Sequence, residues 1–122
     1  MKKYILSTLV ICLFIGFQQK SQAQLFKTKL QITVVDKLGN VVQDAKVIIY
    51  KSKADYDKEI NPVQEFKLSD NRGKVTFKDL DEIAYYVIVR KGDLDNFGGG
   101  EKTSVLEERK TNKATIVITD GL

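Results

Sequence analysis

Histidine is absent from the 122 residues, and the one cysteine, Cys12, lies in an apolar stretch near the N-terminus. Proline occurs once, at Pro62. These absences remove whole classes of chemistry. A Ser-His-acid triad and a Cys-His pair both need a residue this chain lacks beyond position 12. A thiolate or imidazole metal cage is excluded for the same reason. No disulfide can form within the chain, although small exported domains often depend on them. Stability must then come from packing around one modest core.

The N-terminus reads as an export signal. Met1-Lys2-Lys3 precedes an apolar run from Tyr4 to Phe17, and a polar stretch ends Ser21-Gln22-Ala23. A basic start, a short apolar run and small residues before a cut make the secretory pattern. The run falls short of the roughly 20 residues that span a bilayer as a helix. Cleavage is therefore expected after Ala23, giving a signal segment of 1–23 and a single domain of 24–122. Cys12 sits inside the apolar run rather than after it, so the chain does not read as a lipoprotein. The expected destination is the periplasm or the extracellular space, with no membrane insertion after cleavage.

Charge follows the same division. The chain carries 20 Lys+Arg against 16 Asp+Glu, a formal +4. Lys2, Lys3 and Lys20 leave with the leader, so residues 24–122 hold 17 basic against 16 acidic, or +1. Such a balance supplies no platform for nucleic acid.

Beyond the leader the apolar residues alternate with period two, the signature of half-buried strands. Strands are expected over 28–35, 41–50, 63–68, 74–77, 85–91 and 111–119. The core rows are Leu30, Ile32 and Val34, then Val47 and Ile49, then Val75 and Phe77, then Val87, and finally Ile116. Phe66 and Leu68 read as core-facing on the third strand. Asp36-Lys37-Leu38-Gly39-Asn40 and Ser69-Asp70-Asn71-Arg72-Gly73 are turn sequences, with Gly39 and Gly73 free to take positive φ. Residues 51–61 read as a long polar loop and 92–100 as a loop by composition. Residues 101–110 fit either a short helix, through a capping box at Ser104–Glu107, or a seventh strand. Short strands at this spacing predict an all-β sandwich, six strands clear and one possible.

In Ile32–Tyr50, Ser69–Leu80 and Ala84–Gly92 (ITVVDKLGNVVQDAKVIIY, SDNRGKVTFKDL and AYYVIVRKG) the order of strands and turns resembles the transthyretin-like, or prealbumin-like, superfamily. Carboxypeptidase regulatory-like domains and collagen-adhesin B-type repeats are among its relatives. The resemblance implies a seven-stranded Greek-key β-sandwich in a small exported bacterial protein. One enzymatic branch hydrolyses a urate-derived intermediate with histidines and a C-terminal Tyr-Arg-Gly-Ser. This chain has no histidine and closes on Ile118-Thr119-Asp120-Gly121-Leu122. The hormone-carrying branch finds no matching contacts. The adhesin branch joins a Lys to an Asn or Asp, for which Lys29, Lys46 and Asn112 are present.

Three groups of residues invite a functional reading. Asp93, Asp95 and Asn96 offer oxygens for a hard cation such as calcium, against the plainer reading of a solvated loop. Tyr56 and Phe97 stand in expected loops, where an aromatic ring suggests either a binding rim or a local anchor. The acid pairs Asp81-Glu82 and Glu107-Glu108 leave a carboxylate hydrolase as a distant alternative, since neighbours on a strand face apart. No cofactor and no catalytic residue is expected. The leading expectation is a non-catalytic domain binding protein or glycan at the cell envelope. The alternative is a structural accessory subunit of an envelope assembly.

Overall fold

The computed structural model describes residues 27–97 and 100–121. The signal segment, its cleavage site and Cys12 lie outside the described residues. Alternation organises the rest. β1 (Lys29–Val35) buries Leu30, Ile32 and Val34 and turns Lys29, Gln31, Thr33 and Val35 outward. The same rule makes β2 (Lys46–Tyr50) and β4 (Lys74–Phe77), whose inward rows are Val47 and Ile49, and Val75 and Phe77. β5 (Tyr86–Lys91) contributes Val87 and Val89, and β7 (Thr111–Val117) contributes Ile116.

With two short strands, β3 (Lys67–Leu68) and β6 (Leu94–Asp95), the strands form two sheets, ordered β4-β1-β7 and β3-β2-β5-β6, in an all-β, seven-stranded sandwich. β1 pairs antiparallel with β4 and parallel with β7, the latter in register from Lys29–Thr111 to Val35–Val117. Past β7, Thr119 exchanges backbone hydrogen bonds with Asp95 (3.0 and 2.8 Å), tying the last segment to the opposite sheet. Leu30, Ile32, Val34, Val47, Ile49, Val75, Phe77, Val87 and Ile116 share one buried cluster with Ala45, Tyr85, Val89, Leu106 and Ile118.

The two turns are built alike. Asp36 Oδ1 accepts from the backbone N–H of Leu38 and Asn40, and Asp70 Oδ1 accepts from those of Arg72 and Lys74. The Lys74 and Arg72 amides hold the Asp70 carboxyl below its ordinary range. Gly39 and Gly73 complete the turns at φ +87° and +75°.

Four expectations need correction. Residues 51–61 contain a helix, α1 (Lys53–Lys58), which the polar composition concealed. Ser52 caps it by accepting from the Asp55 N–H at 3.1 Å, and Glu59 closes it at φ 54°. The third strand shrinks to β3 (Lys67–Leu68), an edge piece whose Leu68 lies opposite the outward Lys46. Phe66 and Leu68 are consequently exposed; Ser69 is buried instead, accepting from Ala45 N–H and donating to the Val42 carbonyl. The seventh strand is β6 (Leu94–Asp95), inside the segment read as loop. Residues 101–110 form neither regular element. Glu101 and Thr103 bond to the backbone of Val87 and Tyr85, continuing the edge that β6 begins, and Leu106 docks into the core.

Candidate functional site

The outer face of the four-stranded sheet gathers Tyr50, Tyr56, Tyr86 and Phe97. Alternation points Tyr50 out from β2, and Tyr86, Ile88 and Arg90 out from β5, with Tyr50 opposite Tyr86. An uncovered apolar strip there would face water, and α1 lies across it. Tyr56 is the only buried side chain of that helix. Its ring meets Tyr50 edge-on at 6.2 Å, Tyr86 at 5.7 Å and Phe97 at 6.3 Å between centroids. Such pairs contribute about 0.5–1.5 kcal/mol each beyond area burial. Its hydroxyl donates to Glu101 Oε2 at 3.1 Å.

Polar side chains close the rim of this small second core. Arg90 donates from both terminal nitrogens to Glu59, at 2.6 and 2.9 Å, and lies 5.4 Å over the Phe97 ring. Lys102 lies 5.2 Å over Tyr86. The Arg90 hydrogen bond holds the Glu59 carboxyl below its ordinary range and raises the Arg90 guanidinium. Burial, and then the bond to Glu101, push the Tyr56 phenol up to about 12.

The segments 51–61 and 92–97 therefore do meet, through Tyr56 and Phe97, but across a sheet face. Tyr56 is 5% exposed and Phe97 44%. Tyr56 is an anchor for α1, and of the two only Phe97 presents its ring to solvent. Glu59, Arg90, Glu101 and Lys102 escaped the sequence reading, because their partners stand far along the chain. The spacing Ser52-x-x-Asp55, with Lys53 and Asp57 four apart, was the signal available for the helix.

The Tyr56 phenol yields a first prediction. In the unfolded chain it ionises near 10, and in the folded chain near 12. Its contribution is thus fully present below pH 10 and disappears as pH rises through about 12. Tyr56→Phe is expected to make the alkaline fall in stability shallower across that window, measured by urea unfolding. An unchanged slope would remove Tyr56 from the account.

The calcium candidates separate in space. Asn96 is 1% exposed. Its Oδ1 accepts from the Val89 N–H at 3.0 Å, and its Nδ2 donates to the Val87 carbonyl at 2.8 Å. Both heads of the amide face the β5 backbone, not a common centre with Asp93 and Asp95. Asp95 Oδ1 accepts from the Phe97 N–H, and Asp93 is exposed. Among the described residues no group of three His, Cys, Asp or Glu gathers around a point.

The remaining candidates hold structural partners. Asp81 pairs with Lys51, Glu107 with Lys110, and Glu82 accepts from the Thr28 hydroxyl. Asn112 accepts from the Glu107 N–H and donates to the carbonyls of Glu107 and Lys29. Lys29 points outward from the strand and Lys46 is exposed, so neither ammonium is stripped of water as attack on an amide would require. A groove of about 570 Å³ lies between β7 and residues 102–107, with Leu30 and Leu106 among the residues lining it.

No family model matches the chain, and no curated protein matches its sequence. Solved structures do. The pilus 2b backbone protein of group B streptococcus matches at 12% identity and a TM-score of 0.56, over 75% of this chain and 40% of that one. The major pilin subunit of Bacillus cereus matches at 17% identity and 0.52, over 78% and 30%. The full-length major pilin SpaD of Corynebacterium diphtheriae matches at 15% and 0.51, over 75% and 30%. The chain spans less than half the length of each. These likenesses show the fold alone, a two-sheet β-sandwich also present in those proteins, and correct the transthyretin-like reading. The segments that suggested it encode strands and tight turns, which many sandwiches share. They do not encode which strands become neighbours.

Proposed function

We propose that this chain is an exported structural domain that acts through protein–protein contacts in an assembly at the cell envelope. The reading takes 1–23 as its signal and 24–122 as its working part. The observation that carries it is the parallel pairing of the first and last strands, β1 and β7, over seven residues. Tension applied at the start of β1 and the end of β7 pulls these neighbours in opposite directions along their length. All bonds of the pair must then shear together, whereas a hairpin opens one bond at a time. A domain built this way suits a place in a stressed chain of subunits. The likeness to pilus backbone proteins, limited as it is to fold, supports the same reading.

A loop-borne recognition site fits less well, since burial of Tyr56 leaves Phe97 without an exposed aromatic neighbour. Gly39 and Gly73 act in turns, and the buried row from Leu30 to Ile116 acts in the core. The test is cross-linking of intact cells that express the full chain, followed by mass spectrometry of the envelope fraction. The chain is expected in covalent adducts with one or a few recurring protein neighbours. Recovery solely as an uncross-linked monomer in the exported soluble fraction would overturn the reading.

A further inference from the structure

The outer face of the three-stranded sheet is polar and carries no acidic residue at its strand positions. Its outward positions are Lys29, Gln31, Thr33 and Val35 on β1, Lys74 and Thr76 on β4, and Thr111, Lys113, Thr115 and Val117 on β7. None is acidic, in a chain with 16 acidic residues. Among the described residues, the ion pairs join Lys27, Lys51, Lys53, Arg90 and Lys110 to acids elsewhere; Lys29, Lys74 and Lys113 are among the basic residues outside those pairs, with the Asp70 carboxylate at the edge of the face near Lys74. In a domain near neutrality, the charged strand positions of this face are all of one sign.

Register places the three ammonium groups. Lys113 pairs with Gln31, two residues from Lys29, and Lys74 pairs with Thr33. With strands about 4.8 Å apart and a rise of about 3.4 Å per residue, the lysine stems stand roughly 8 to 14 Å from one another. That spacing matches or exceeds the screening length of about 8 Å at physiological salt. One small anion cannot engage all three. A polymer with repeated charges can.

The side chains between the lysines narrow the class further. Protein interfaces centre on aromatic and other large apolar anchors, and they are depleted in lysine. This face has no aromatic ring. Gln31, Thr33, Thr76, Thr111 and Thr115 supply instead a flat array of amide and hydroxyl groups. Hydroxyl-rich, negatively charged chains complement it in both respects. We infer that the outer face of β4-β1-β7 is a docking surface for a carboxylate-bearing polysaccharide. This docking role goes beyond the proposed assembly role and does not rest on it.

The test uses protein purified from cells expressing the full chain, with polygalacturonate as probe and neutral dextran and phosphatidylglycerol-containing vesicles as comparisons. Lys29→Gln/Lys74→Gln/Lys113→Gln is set against Lys51→Gln/Lys53→Gln/Lys58→Gln, which removes the same net charge elsewhere. The first variant is expected to weaken polygalacturonate binding about a hundredfold at low salt, and the second less than about threefold. All six lysines are outside the core, and matching melting curves confirm that both variants fold. Equal losses in the two variants would reduce the effect to net charge and overturn the inference. Absence of polygalacturonate binding, equal binding to dextran, or preference for the vesicles would overturn it as well.

Discussion

Asn96→Leu is expected to lower stability by about 3 kcal/mol, because two buried backbone groups lose their only side-chain partner. The amide of Asn96 accepts from Val89 N–H and donates to the Val87 carbonyl, spanning the interval where β6 has ended and residue 101 has not yet begun to pair with β5. A strand edge left bare there would bury an unsatisfied donor and acceptor. Leucine keeps the same branched outline and leaves no cavity, so a loss would report the missing hydrogen bonds together with the crowding of its larger methyl groups. For a domain of this size the melting temperature should fall by roughly 12–24 °C. Hydrogen exchange at the Val89 amide should accelerate beyond the global change. A variant as stable as the parent would mean that water or neighbouring backbone replaces the amide.

Gly73→Ala should be comparably damaging, and Gly39→Ala much milder. Both glycines end Asp-x-x-Gly turns at positive φ, at +75° and +87°. A left-handed conformation costs a residue with a Cβ roughly 1–2 kcal/mol at either site. At Gly39 nothing lies within 4 Å of an added Cβ. At Gly73 that atom would stand 2.7 Å from the Val34 carbonyl oxygen and 3.0 Å from Val41 Cβ. The same oxygen receives the Val42 N–H, and the Gly73 carbonyl receives the Val34 N–H at 2.7 Å. Backbone on both sides must shift, which adds about 1–3 kcal/mol of overpacking. Urea unfolding of the two single variants checks the difference. Equal destabilisation would show that φ alone matters at both turns.

Much of the fold was legible because strand alternation is a local property. The rows from Leu30 to Val34 and from Val75 to Phe77 need only their own neighbours to be recognised. Legibility failed where a segment answers to a distant one. α1 is too short to show a helical stripe, and Tyr56 earns its burial from Tyr50 and Tyr86 on the sheet beneath. β6 has two residues, too few for any period, and exists because β5 offers it an edge. Phe66 and Leu68 looked internal because they alternate and are apolar. Their strand pairs over only two residues at a sheet edge, with Leu68 opposite an outward lysine, so neither is enclosed.

The absences in the sequence determined what chemistry this protein lacks. No arrangement in space can supply a missing imidazole, and beyond position 12 none can supply a thiol. Composition also determined a near-neutral balance for residues 24–122, since charge adds without regard to position. Tertiary structure alone decided where those charges stand. Lys29, Lys74 and Lys113 lie on three strands far apart in the chain, and only the pairing of β4, β1 and β7 sets them on one face without an acid between. It likewise decided that Asn96 serves a strand edge while its neighbour Asp95 faces a turn. A sum is a property of the residues, and a surface is a property of their neighbours.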